Sequence, residues 1–263
     1  MILAYDIGNT NIVVGLLDGE RIAGRWRFTT RRERTADEMR LEARSALAEV
    51  GVNVGAIEGI AVASVVPALN APLAAGLRSL FQGEILWVDA RTSPIRLDVD
   101  EPWSVGADRI VDCVAGYALY GGPLLVIDFG TAVTFNLVSK DGAFLGGAIA
   151  PEMHLAADAL TERAAQLFSV SLDVPESVIG RTTASNLRAG LVLGTFDLVA
   201  GLISRFRQEV DPALRVVATG GRGELYREHI DSIEFYDPDL TLKGLQLCWE
   251  KAQRAGRSAG GKR

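Results

Sequence analysis

The chain has 263 residues, 48% of them hydrophobic, so it can bury the core of one large domain or two small ones. A net charge of −6 argues against a general nucleic-acid binder, which would show a basic face. Cys113 and Cys248 are the only cysteines, too few for a metal knuckle or a disulfide framework; both are expected to be reduced and buried.

No basic segment precedes an apolar run at the start, and no long uninterrupted apolar run follows. Neither a leader peptide nor a membrane span is therefore expected, and the location is expected to be cytoplasmic. Residues 2–6 and 12–17 read as two strands joined by the turn Gly8-Asn9-Thr10-Asn11. Asp18-Gly19 is a hairpin signal, and a third strand is expected over 21–28. Residues 35–50 have the apolar spacing of an amphipathic helix, with Thr35 as N-cap and Glu38 three residues on. A buried strand is expected over 58–66, ended by Pro67, then a helix near 70–81, a strand at 84–88 and a helix over 108–120.

The plan then restarts. A strand is expected over 124–128, a turn over 129–131 and a strand over 133–139. The Asp141-Gly142 hairpin and a strand over 143–149 follow. Asp6 and Asp128 are 122 residues apart, a spacing that suggests two related α/β domains rather than a solenoid. Helices near 152–167 and 184–210, a strand at 214–218, the turn Thr219-Gly220-Gly221 and a helix from about 241 complete the pattern. The expected division is a first lobe over 1–115, a second over 116–250 and a basic tail over 251–263, frayed or loose.

Each copy ends an apolar strand on a carboxylate. Such a group is costly to desolvate without a partner, and a bound cation is an efficient one. The glycine two residues on lets backbone N–H groups approach a ligand, and clustered N–H groups bind anions. A polyphosphate with Mg²⁺ fits this pair, since Mg²⁺ uses one or two carboxylates plus phosphate oxygens. Gly220 and Gly221, after an apolar strand, read as an adenosine-binding turn within the same set. Asp128-Phe129-Gly130 spells the DFG of protein kinases, but the other kinase motifs do not precede it.

With these residues in hand, the chain resembles the type III pantothenate kinases of the acetate-and-sugar-kinase, chaperone and actin superfamily. The carriers are DIGNTN (6–11), SVVP (64–67), VGADR (105–109), DFGTAVT (128–134), GGAIAP (146–151), GRTT (180–183), TGG (219–221) and DPDLTLKGL (237–245). The resemblance implies two ribonuclease-H-like domains in duplicated arrangement with a central nucleotide cleft. It also implies ATP, Mg²⁺, a monovalent cation (K⁺ or NH₄⁺) and a homodimer that helps build the pantothenate pocket. Carried onto this sequence, Asp6 and Asp128 would organise the metal and phosphates. Gly8, Asn9, Thr10 and Asn11 would line one phosphate turn, and Gly130, Thr131 and Thr134 the other. Asp108 would be the base for the substrate alcohol, and Arg109 would hold the pantothenate carboxylate. Gly106 and Val99 belong to the same acceptor region, and Thr183 would reach pantothenate across the dimer. Taken alone, Asp108-Arg109 reads as an ion pair at a helix start.

The acceptor side departs from the pattern. Glu152 stands where a glycine is usual, Asn136 where an aspartate is frequent, Val99 where a tyrosine is usual, Glu101-Pro102 where Asn-Pro is usual, and Leu167-Phe168 where Leu-Pro is expected. Besides a pantothenate kinase, two readings stay open: a nucleotide-binding paralogue that phosphorylates another small alcohol or little at all, and a regulatory or accessory protein that uses the fold for interaction. His229 is expected on the surface, while His154 and Trp103 could border the acceptor.

Overall fold

The computed structural model describes residues 1–164 and 167–260, with side chains through residue 256. The chain divides into two compact units. The first holds Met1–Leu119, Gly142–Phe144 and the described residues from Asp239 on; the second holds Tyr120–Asp141 and Leu145–Pro238.

The first unit contains β1 (Ile2–Ile7), β2 (Asn11–Asp18), β3 (Arg21–Thr29), α1 (Ala36–Glu49), β4 (Gly59–Ser64), α2 (Pro67–Arg78), β5 (Glu84–Trp87) and α3 (Ala107–Tyr120). Its sheet order is β3-β2-β1-β4-β5. β1 runs antiparallel to β2 and parallel to β4. Successive residues of a strand face opposite sides of the sheet. Leu3, Tyr5 and Ile7 accordingly join Met39, Ala43 and Leu47 of α1 and Leu69, Leu73 and Leu77 of α2 on one face. Ile2, Ala4, Ala61 and Ala63 join Ile110, Val111 and Val114 of α3 on the other. The α1 start is as expected: the Thr35 side chain accepts from the Glu38 amide, and Glu38 reaches back to the Thr35 amide.

The second unit repeats the plan with β6 (Leu124–Phe129), β7 (Ala132–Val138), β8 (Phe144–Pro151), α4 (Met153–Arg163), α5 (Thr183–Arg188), α6 (Gly194–Glu209), β9 (Arg215–Thr219), α7 (Gly223–His229) and β10 (Phe235–Tyr236). Its sheet order is β10-β9-β6-β7-β8, so β6 has the antiparallel and parallel neighbours that β1 has. Sheet order and strand directions thus confirm the duplication expected from the two Asp-x-Gly turns.

Several expectations change. The helix expected over 152–167 ends at Arg163, and positions 165–166 lie outside the described residues. The helix expected over 184–210 is α5, a π-helical turn at Ala189–Leu193, and α6. This run, Thr183–Glu209, is long and apolar enough by composition to cross a membrane. Val192, Phe196, Val199 and Ile203 along it instead pack into the second unit's core.

The division expected at 115 and 250 also shifts. The last helix, α8 (Leu240–Gly260), includes residues 251–260 of the expected tail and belongs to the first unit. The reason is its apolar stripe: Leu242, Leu245, Cys248 and Trp249 complete the face built by α3. Cys113 and Cys248 are free and buried, as expected. Trp249 lies against Gly59 of β4, in space that a Cβ there would need. Trp249→Ala should lower stability by about 3–5 kcal/mol, the usual cost of emptying an aromatic core site. Urea denaturation followed by circular dichroism measures it.

Candidate active site

Asp6 and Asp128 occupy equivalent places in the two sheets. Asp6 lies in register with Val13 of β2 and Ala63 of β4. Asp128 lies in register with Thr134 of β7 and Thr219 of β9. Both are half-buried, each is followed by a buried apolar residue (Ile7, Phe129), and each then meets a glycine and an exposed polar residue. Both turns close in the same way. The Gly8 amide donates to the Asn11 carbonyl at 3.0 Å, and the Gly130 amide to the Ala132 carbonyl at 3.1 Å. The first turn is one residue longer and is braced from β3: Thr30 Oγ1 donates to the Gly8 carbonyl at 2.7 Å.

In the first unit Gly106 and Asp108, expected on the acceptor side, are linked to the Asp6 turn through Val65. The Val65 amide donates to the Ile7 carbonyl at 3.0 Å, which ties the SVVP segment to the end of β1. The Val65 side chain is 3.5 Å from where a Cβ on Gly106 would stand, and Asp108 Oδ1 is 2.5 Å from the same point. Gly106 is therefore the residue that leaves room for the Asp108 carboxylate. Asp108 lies in the first turn of α3, and its Oδ1 accepts from the Arg109 amide at 2.8 Å. Burial pushes the Asp108 carboxyl above its ordinary value, outweighing the downward pull of the Arg109 amide and guanidinium. Arg109 stacks its guanidinium over the Phe144 ring, 5.2 Å from the centroid, and burial lowers its pKa. This contact holds the planar fork in place. Val99 is half-buried in the segment leading to α3, near Leu97, which bridges to Phe144. Trp103 is 76% exposed.

In the second unit the structure brings Asp128, Gly130, Thr134 and Gly220 together. Thr134 lies directly across from Asp128, and its hydroxyl accepts from Asn136 Nδ2 at 3.1 Å. Asn136, fully buried, is thus a support for Thr134 that sequence reasoning recorded only as a departure. Gly220 has φ of +87°, and a Cβ there would collide with Asp128 Oδ1 and the Phe129 carbonyl. The Gly220 carbonyl accepts from the Tyr236 hydroxyl at 3.1 Å, and Gly221 is exposed beside it. Thr183 is the exposed first residue of α5, and Thr182 caps that helix through the Ser185 amide. His229 is exposed, as expected, and stacks on Phe196.

Sequence reasoning missed Arg222, Tyr226 and Tyr236. Only the position of Arg222 directly after the Gly-Gly turn carried a signal. Glu152 is not a solvent-facing charge: it is 1% exposed and N-caps α4. A cavity of about 570 Å³ in the first unit lies at the other end of β1, lined by Met1, Asp18, Glu58 and Trp249, away from the Asp6 turn. Geometry, not cavity size, marks the site.

Mg²⁺ is the metal that the resemblance implies. No cluster of three or more His, Cys, Asp or Glu side chains suited to a metal exists among the described residues. Mg²⁺ is held by one or two carboxylates with phosphate oxygens and waters, and the half-buried carboxylates of Asp6 and Asp128 are donors of that kind.

Solved structures share the fold. A ROK hexokinase from Thermus thermophilus matches with a TM-score of 0.52 and 16% identity, over 94% of this chain and 97% of that one. An activator of 2-hydroxyisocaproyl-CoA dehydratase from Clostridium difficile, with bound ADPNP, matches at 0.52 and 13%, over 100% and 98%. The duplicated two-unit α/β architecture is thus a fold that both of these proteins share.

The family described as Type III pantothenate kinase matches residues 2–205. Type III pantothenate kinases of Roseiflexus sp. (strain RS-1) and Agathobacter rectalis are 42% and 41% identical to this chain. They match over 95% and 97% of it and over 98% and 99% of their own lengths. The chain belongs to the type III pantothenate kinase family.

Gly220→Ala should weaken ATP binding at least about tenfold, or about 1.4 kcal/mol, because the added methyl displaces Asp128 and its positive φ disfavours a side chain. Calorimetric titration with ATP measures it.

Proposed function

We propose that the chain transfers the γ-phosphoryl group of ATP to the primary alcohol of pantothenate, giving 4′-phosphopantothenate in the first step of coenzyme A biosynthesis. The observation that carries this reading is the matched pair of strand-end carboxylates and glycine turns, with Asp108 set beside the first through Val65 and Gly106. Family membership supplies the acceptor.

In this reading Asp6 and Asp128 serve one Mg–ATP. Gly8, Asn9, Thr10 and Asn11 line the phosphates on one side, and Gly130, Thr131 and Thr134 on the other. Gly220 and Gly221 pack against the adenosine. Mg²⁺, when bound, neutralises charge on the phosphate oxygens. Arg109 pairs with the pantothenate carboxylate, with Gly106 and Val99 beside it. Asp108 accepts the alcohol proton as the new oxygen–phosphorus bond forms, while the bond from the γ-phosphorus to the β,γ-bridging oxygen breaks and ADP leaves. Burial raises its pKa, which makes it a stronger base than an ordinary aspartate. The protein mostly positions groups here, since phosphoryl transfer demands little covalent help.

A monovalent cation, K⁺ or NH₄⁺, completes the proposed phosphate site. The proposed assembly is a homodimer in which Thr183 reaches the partner's pantothenate. The second unit carries exposed apolar residues suited to an interface, among them Ile149, Leu155, Leu160, Val178 and Ile179. Its proposed setting is the cytoplasm, with no nucleic-acid or membrane partner.

Asp108→Asn should lower turnover of pantothenate about 10²–10⁴-fold, the range for loss of a positioned base, while ATP affinity is unchanged. Because the carboxyl must be ionised to act, wild-type kcat/KM should rise with pH through a limb lying above the ordinary aspartate value. A coupled ADP-release assay over pH, beside ATP titration of the variant, measures both effects. Normal turnover in the variant would remove Asp108 from this role.

A further inference from the structure

Glu152 is the most completely enclosed carboxylate described in the second unit, and its partners lead to the nucleotide-side turns. Oε2 accepts from the His154 amide at 2.9 Å and from Arg222 Nη1 at 3.1 Å, with His154 Nδ1 also at 3.1 Å. Oε1 accepts from the Tyr226 hydroxyl at 3.2 Å. Burial and the neighbouring carboxylate push the Tyr226 phenol far above its ordinary value, so it remains a donor.

Two arms leave this carboxylate. Arg222 directly follows Gly220-Gly221, and Gly220 faces Asp128 Oδ1. The Tyr226 ring stacks on Phe129, with centroids 3.9 Å apart and planes 14° from parallel. Phe129 sits between Asp128 and Gly130. One arm therefore holds the Gly220 turn and the other holds the Asp128 turn. The two turns meet where no Cβ fits, so their separation has little slack.

We propose that Glu152 is a positioning residue for the nucleotide, fixing the Gly220 turn against the Asp128 turn through Arg222 and Tyr226. A helix cap alone would need only the His154 amide. A buried carboxylate that also takes a guanidinium and a phenol is committed to a geometry, because loss of either partner leaves charge poorly compensated. The inference rests on the reading above in one respect, that these turns receive ATP; it does not depend on pantothenate being the acceptor.

The test compares wild type with Glu152→Gln, Arg222→Lys and Tyr226→Phe. Affinity for a non-hydrolysable ATP analogue with Mg²⁺ is measured by calorimetry, and KM for ATP and for pantothenate by steady-state kinetics. Glu152→Gln should raise both the analogue Kd and the KM for ATP about tenfold, the scale of one charge-assisted hydrogen bond. The KM for pantothenate should stay within about twofold, well under the tenfold that 1.4 kcal/mol gives. Tyr226→Phe should show a smaller shift of the same kind, and Arg222→Lys a partial one. If Glu152→Gln fails to fold, the other two variants still read one arm each. A lowered melting temperature with unchanged ATP affinity would reduce Glu152 to a cap and overturn the proposal. A shift confined to pantothenate would overturn it in favour of an acceptor-wall role. Wild type that binds the analogue but leaves pantothenate untouched would sink the kinase reading alone. Wild type that binds no nucleotide would sink both.

Discussion

An ionisable side chain at the end of a buried strand governs this molecule. β1 and β6 are the central strands of their sheets, and each carries apolar residues up to its aspartate. Desolvating a carboxylate there costs several kcal/mol unless charge or hydrogen bonds compensate it. The glycine turn after each strand closes on its own backbone, Gly8 onto Asn11 and Gly130 onto Ala132. Strand, carboxylate and turn form a unit suited to a cation bound together with an anion, and the chain builds that unit twice.

The remaining architecture supports these two ends. In the first unit, helices cover both faces of the sheet, and α8 returns from the end of the described chain to complete the face on which α3 lies. α3 in turn carries Asp108 and Arg109 in its first turn. α8 thus contributes to placing α3. In the second unit the Glu152, Arg222 and Tyr226 network performs the corresponding task for the Gly220 turn. These are buried polar contacts with little tolerance for loss of a partner, which is why they can fix distances that an apolar core leaves softer.

Much of the fold was legible because its signals are local. Alternation and apolar runs marked the strands, Asp-Gly pairs marked both hairpins, and Thr35 with Glu38 marked the start of α1. The duplication was visible because Asp6 and Asp128 each follow an apolar run and precede a glycine two residues on and then an Asp-Gly pair. The two glycine turns after Asp6 and Asp128 were legible for the same reason. What local signals could not convey was pairing between distant positions. The apolar stripe of α8 does not say which sheet it covers. Glu152 looked like an intrusive charge because its partners Arg222 and Tyr226 lie 70 and 74 residues away. Asn136 looked like a loss until its amide was found on Thr134. The short elements α7 and β10 lacked enough periodicity to be expected at all.

The central proposal is that Asp6 and Asp128 serve a single Mg–ATP. The most direct test is a double-mutant cycle of Asp6→Asn and Asp128→Asn, with ATP affinity measured with and without Mg²⁺. Groups sharing one ion are coupled by about 0.5–3 kcal/mol rather than additive. The account predicts that each single change removes most of the Mg²⁺-dependent gain and that the double change removes little more. Independent, additive losses, or a Mg²⁺ gain that survives both changes, would contradict it.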